Sequence, residues 1–300
     1  MAWFLWTLGA LLLFSALASE SLIRLKVEKQ DNRLHHLTIY HTDSSPTAIF
    51  GDSHGAVDLQ PKEGVVNLAY VRESIEVIAM KIRLLLDRRP LKRIILQADP
   101  SMFGPYRLDA VADVEAFRHL DQGGFNTSFF TLRIVLDQHR PQILNYWRVW
   151  FEVGSFQKPI LRLHPGGWLE MRRQWLEMPA PRRKQETLAR IALQRPPAHF
   201  ADHRFTSIYT QLLTELIDVR HIPVCLIGFP MSPDYLAEMG PSFDLVQSWF
   251  QKTALAHGAA YFNYVDLYGE QPHLFADQDH LNKDGAAIFS ERVFHDCGVD

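Results

Sequence analysis

An α/β fold built on a parallel sheet is predicted for this chain by two observations. Short, nearly continuous apolar runs recur along it, and segments with helical apolar spacing separate them. Strands that are apolar on both faces belong in a sheet covered by helices on both sides. With 300 residues, 47% hydrophobic and 22% charged, the chain suits one large domain or one domain with a sizeable insertion.

The elements follow in order. Pro46–Phe50 reads as the first strand and Val65–Ala69 as the second. From Ser74 to about Arg89, apolar side chains fall at Ile75, Ile78, Ala79, Ile82, Leu85 and Leu86, one face of a helix that Pro90 ends. Arg93–Ala98 is a third strand, Pro223–Phe229 a fourth and Ala260–Asn263 a short fifth. Ser242–His257 reads as a helix closed by Gly258, and Asn282 caps a last helix reaching about Phe294. Between the third and fourth strands, roughly 101–200, the alternation breaks. Helix-like patterns such as "PQILNYWRVWFEV" and "GGWLEMRRQWLEM" predict a helical insertion with no convincing strand. Its end is locally basic (Arg172, Arg173, Arg182, Arg183, Lys184, Arg190 and Arg195), which reads as a solvated face or as a surface for membrane phosphates or an anionic glycan.

Ala2–Ala18 is uncharged and apolar throughout. As a helix it spans about 26 Å, slightly less than a ~30 Å hydrocarbon core. It fits a signal peptide or an N-terminal membrane anchor over residues 1–19, and retention is favoured over cleavage. A polar stem over residues 20–45 then leads to the main domain, 46–300. The expected location is extracytoplasmic, on the periplasmic side, membrane-anchored by the N-terminus or secreted after cleavage. A net charge of −3 makes nucleic acid a poor partner. The two cysteines, Cys225 and Cys297, outline no disulfide framework, and Cys225 reads as a small buried hydrophobe.

Chemistry concentrates at two places. Gly51-Asp52-Ser53-His54-Gly55 sets a hydroxyl where the first strand stops. Asp277 and His280 stand three apart in a loop after the fifth strand. A nucleophilic serine needs a base, and the base needs a carboxylate to fix its tautomer. Loops at the carboxyl ends of parallel strands gather at one edge, so the two places can meet. His54 reads as a pocket-lining residue or an exposed residue at a helix start, and Asp279 as a loop support. As a metal site, "DQDHLNKDG" fails the EF-hand pattern, and neither a metal nor a cofactor is expected.

These blocks carry a resemblance. Gly51-Asp52-Ser53 resembles the first block of the SGNH/GDSL hydrolase superfamily, and Asp277-x-x-His280 its last, with the Leu281, Asn282 and Gly285 that often follow. The resemblance implies a flavodoxin-like three-layer sandwich with a five-stranded parallel sheet of order 2-1-3-4-5. It also implies a triad of Ser53 as nucleophile, His280 as general base and Asp277 as its orienter. The middle blocks depart from the pattern. "NLAYVRES" has Arg72 where a glycine supplies an oxyanion amide, and "QADP" has no asparagine. Asp52, Ala69, Arg72 and Asp99 are the candidate oxyanion or substrate contacts, with Asp99 either turned away or protonated.

The reading that follows is an exported, N-terminally anchored serine esterase or O-acyltransferase. Its substrate is an acylated glycan or small ester, with acetyl groups of a cell-envelope polysaccharide foremost, and a membrane-bound acyl-transfer partner is possible. The alternatives are a catalytically weak glycan-binding or assembly module of the same fold, and a lipase or thioesterase.

Overall fold

The computed structural model describes residues 43–107 and 175–299 except 72 and 203, the backbone of 161–164 and 168–171, and scattered positions before residue 41. The chain divides into two compact units, one of residues 1–41 and 117–158, the other of residues 42–116 and 159–300. The second unit holds the sheet. Of the first, helical positions are described at Trp3, between Trp6 and Leu11, at Phe14, and at Ile39 and Tyr40. Most of the expected anchor, the stem and the bulk of the insertion lie outside the described residues. Among the described residues no helix is long and apolar enough to cross a membrane.

Five parallel strands form the sheet: β1 (Thr47–Phe50), β2 (Val65–Asn67), β3 (Arg93–Gln97), β6 (Val224–Gly228) and β7 (Ala260–Asn263), in the order β2-β1-β3-β6-β7. Counted within this sheet, the order is the expected 2-1-3-4-5. Register places Ile49 beside Ile95, and Ile95 beside Cys225. Those side chains point to one face, where α1 (Ser53–Asp58) and α7 (Lys283–Asp296) pack and bring Phe289 and Val293 onto them. Helices α2 (Ile75–Leu86), α4 (Arg204–Leu213) and α6 (Pro241–His257) pack with one another on the other face, with Tyr209 and Phe250 in edge contact at 5.1 Å.

Local signals set the helix ends. The Ser74 hydroxyl accepts from the Val77 amide, and the Asn282 side chain accepts from Asp284 and Gly285. Gly258 closes α6 in the left-handed region at φ 70°.

Two expectations are corrected. The stretch 101–200 is not free of strands. Leu161–His164 (β4) and Trp168–Met171 (β5) pair antiparallel, so "WLEM" is a strand and not a helix start. Cys225 is also not an isolated hydrophobe. It is disulfide-bonded to Cys297 with Cα atoms 5.7 Å apart, which ties β6 to the end of α7. After the hairpin come α3 (Ala180–Gln194), then α4, which continues as a π-helical turn over Thr214–Val219, and after β6 the short α5 (Pro233–Leu236).

Candidate active site

The site is assembled where strands end. β1 runs into Gly51, and Asp52 caps α1, its Oδ1 accepting from the His54 amide at 2.8 Å. Ser53 is therefore the first residue of a helix that starts at the carboxyl edge of the sheet. Gly51 is required by close approach, since a Cβ there would lie 2.6 Å from Oε1 of Gln97. That oxygen accepts from the Asp52 amide at 2.6 Å, so β3 fixes the turn that carries Ser53.

The second half comes from the loop before α7. Asp277 receives three bonds: the Asp279 and His280 amides on Oδ1 at 2.9 and 2.8 Å, and Nδ1 of the His280 ring, 3.0 Å from both carboxylate oxygens. This pairing fixes the ring with Nδ1 toward Asp277 and Nε2 away from it. Burial alone would lower the basicity of His280. The charges of Asp277 and then Asp279 outweigh it, and its pKa is raised. The loop is locked to α1 through the Leu281 amide, which donates to Asp58 Oδ1 at 2.8 Å. Burial pushes Asp58 up to about 7, against the lowering charges of His280 and His54.

The structure thus brings Asp277 and His280 into direct contact, beside the helix that begins at Ser53. It does not form the Ser53–His280 hydrogen bond. His280 Nε2 is buried and has no hydrogen-bond partner among the described residues.

The expected oxyanion contacts fare differently. The Ala69 amide is spent on Asn67 Oδ1 at 3.1 Å and is not free to face a substrate. Asp52 is fully buried. Its amide goes to Gln97, and its carboxylate goes to the His54 amide and to the Arg107 guanidinium. Asp99 is held by local bonds: Oδ1 accepts from the amide and hydroxyl of Ser101, and Oδ2 accepts from Gln97 at 2.7 Å. Arg72 lies outside the described residues.

His54, expected to line a pocket or to stand exposed at a helix start, and Asp279, expected to support the loop, are both fully buried at the centre of the site. The His54 ring stacks on His280 with centroids 4.9 Å apart and on Phe229 at 5.7 Å. Its Nδ1 is 3.2 Å from Asp52, and its Nε2 is 3.6 Å from Asp279, close for a charge pair but long for a hydrogen bond. Asp279 also accepts from Gln194 at 2.6 Å and lies 3.4 Å from Arg190, both on α3. The basic run that reads as a solvated face is in this part pointed inward. Arg183 and Lys184 are likewise paired, with Asp234 and Glu238. Adjacency to the motif residues was the available signal for His54 and Asp279. Burial, which decides their role, is tertiary.

His54, Asp279 and His280 each offer a ligand atom within 4.8 Å of one another. They do not suit a cation. Rings stacked with planes 27° apart hold their in-plane lone pairs side by side, so the pairs do not converge at bonding distance. His280 Nδ1 is committed to Asp277, and the Arg190 guanidinium already neighbours Asp279.

Neither a family model nor a curated protein matches the chain. Among solved structures it is similar to the psychrotrophic esterase EstA from Pseudoalteromonas sp., at 10% identity over 85% of this chain and 97% of that one, with a TM-score of 0.43. It is similar also to LAE5, an alpha/beta hydrolase enzyme from the metagenome of Lake Arreo, at 10% identity over 87% and 98%, with a TM-score of 0.40. At scores this low the fold rests on the strand order itself and not on these likenesses.

Proposed function

We propose that this protein is a serine-dependent carboxylic ester hydrolase or O-acyltransferase of the SGNH/GDSL superfamily. The observation that carries the reading is the Asp277–His280 pair, bonded at 3.0 Å beside the Gly51-Asp52-Ser53 turn. With Nδ1 held by Asp277, the buried and unpartnered Nε2 of His280 is left for a serine proton. Ser53 attacks an acyl carbonyl, its proton passes to Nε2, and the imidazolium returns it to the leaving alkoxide, leaving an acyl-enzyme. Water then completes hydrolysis, and a sugar hydroxyl completes transfer. Hydroxyl–imidazole bonds of this kind are often long without substrate and tighten on binding. The Ser53 amide, at the first position of α1, belongs to those a helix leaves without an internal acceptor, and it serves as an oxyanion donor.

The substrate proposed is an ester-linked acetyl group on a cell-envelope glycan, outside the cytoplasm. The Cys225–Cys297 disulfide supports that compartment, since such bonds persist in oxidising surroundings. The apolar Ala2–Ala18 stretch supports delivery there as an anchor or signal.

A second reading has its own observation. The Ala69 and Asp52 amides are committed elsewhere and the Asp99 carboxylate only accepts, so none of these three gives an oxyanion donor. This favours a glycan-binding module that keeps the fold without the turnover. Hydrolysis of p-nitrophenyl acetate separates the two. The enzyme reading expects turnover by the wild type, with Ser53→Ala and His280→Ala each losing nearly all of it and the double variant little worse. Wild-type rates equal to Ser53→Ala would favour the binding module.

A further inference from the structure

We propose that His54 is a positioning residue whose ring offsets the charge of the Asp279 carboxylate beside the His280 base, leaving Asp277 as the carboxylate that orients that ring. The inference rests on the reading of His280 as the base.

The problem that His54 solves is visible in the loop. Two carboxylates flank Nδ1 of His280, Asp277 at 3.0 Å and Asp279 at 3.4 Å. One orients a base and stabilises its imidazolium as it forms. Two unopposed carboxylates would stabilise the imidazolium before reaction and leave the base already protonated. A base of that kind cannot take a proton from Ser53.

Asp279 is not unopposed. His54 Nε2 faces its Oδ2 at 3.6 Å, Gln194 donates to the same oxygen at 2.6 Å, and Arg190 lies 3.4 Å from the other. His54 is the member of this set that also touches the base, through the 4.9 Å ring stack. Its second nitrogen is anchored from the opposite side. Asp52 Oδ1 is 3.2 Å and Asp99 Oδ2 3.7 Å from Nδ1, and the Gln97 amide nitrogen at 3.3 Å is turned toward Asp99. Burial alone would lower the basicity of His54. The Asp279 carboxylate facing it, with the charges of Asp99 and Asp58, outweighs this and pushes the pKa up to about 9. His54 is then an imidazolium at neutral pH. It neutralises Asp279 and opposes, by like charge, the protonation of His280.

The groups facing His280 are therefore Asp277 and Asp279 from its own loop, and His54 and Asp58 from α1. Behind Asp279 stand Arg190 and Gln194 of α3, and behind His54 stand Asp52, Asp99 and Arg107. Removing the positive charge of His54 raises the His280 pKa, and removing the negative charge of Asp279 lowers it.

The test is an NMR titration of the His280 ring in the full-length protein labelled with 13C-histidine, with the signal assigned by its loss in His280→Gln. His54→Gln is expected to raise the His280 pKa by roughly one unit or more, and Asp279→Asn to lower it by a similar amount. The acid limb of kcat/KM should move in the same directions. An unchanged His280 pKa in folded His54→Gln overturns the proposal. So does a loss of activity in His54→Gln with the acid limb unmoved, the signature of a structural role alone. Should His54→Gln not fold, titration of the His54 ring in the wild type decides, a ring still protonated at pH 7 supporting the proposal and a neutral one overturning it. The titration needs no substrate. If Ser53 proves unreactive and the opposed shifts are still found, the charge arrangement stands and the esterase reading falls.

Discussion

His54 carries a pH signature in stability as well as in the site. Its folded pKa, about 9, lies above the ordinary histidine value of 6.5, because surrounding carboxylates favour the charged form. A group raised in this way contributes stability that is fully present below pH 6.5 and is lost as pH rises through 9. The stability gap between wild type and His54→Gln in urea titrations should be on the order of 3 kcal/mol at pH 6 and should close toward pH 10. Lys81 makes a second point at this scale. Its ammonium is fully buried and donates to both Glu73 oxygens at 2.7 Å and to the Leu68 carbonyl at 2.6 Å, clamping the segment after β2 that borders the site. Glu73→Gln leaves that ammonium poorly compensated and should cost roughly 3–5 kcal/mol. Glu73→Gln with Lys81→Met should cost less than Glu73→Gln alone, which a urea comparison of the two variants checks. Neither role was legible beforehand. Lys81 sits within the expected helix and His54 beside the expected nucleophile, but a sequence gives no sign that either is enclosed.

Among elements, α1 is the one whose placement matters most. It approaches the loop after β2 so closely that a Cβ on Gly55 would lie 2.7 Å from the Ala69 Cβ. Gly55→Ala should push the helix off the sheet, at a cost of about 1–3 kcal/mol. It should also reduce esterase activity more than stability, because Ser53 rides on the same helix. A circular-dichroism melt paired with initial rates measures both. Elements whose identity is set by local chemistry were readable. The apolar runs gave the five sheet strands in their places, Asn282 capped the helix expected of it, and Gly258 ended α6. The β4–β5 hairpin was not readable. Four-residue strands rich in leucine and tryptophan have no period long enough to separate from a helix. Helix α3 fell inside the expected helical stretch, yet its inward use of Arg190 and Gln194 depends on where α7 and its loop lie.

At the scale of the molecule, the parallel order places the ends of β1 and β3 and the loop after β7 along one edge, which is why residues more than two hundred positions apart share a site. The same topology brings Cys297 back over β6. That pairing was invisible in the sequence because 72 residues separate the two cysteines and only the crossover closes the gap. Closing a loop of that length should be worth about 4 kcal/mol. Cys225→Ala with Cys297→Ala should therefore melt well below the oxidised wild type, and a reductant should narrow the difference.

Covalent capture shows whether Ser53 is an activated nucleophile. The full-length protein is treated with a fluorophosphonate, digested, and the adduct located by mass spectrometry. One phosphonyl group is expected on Ser53, formed in wild type, absent in Ser53→Ala and strongly slowed in His280→Ala. A wild-type protein that stays unmodified, or carries the adduct on another residue, contradicts it.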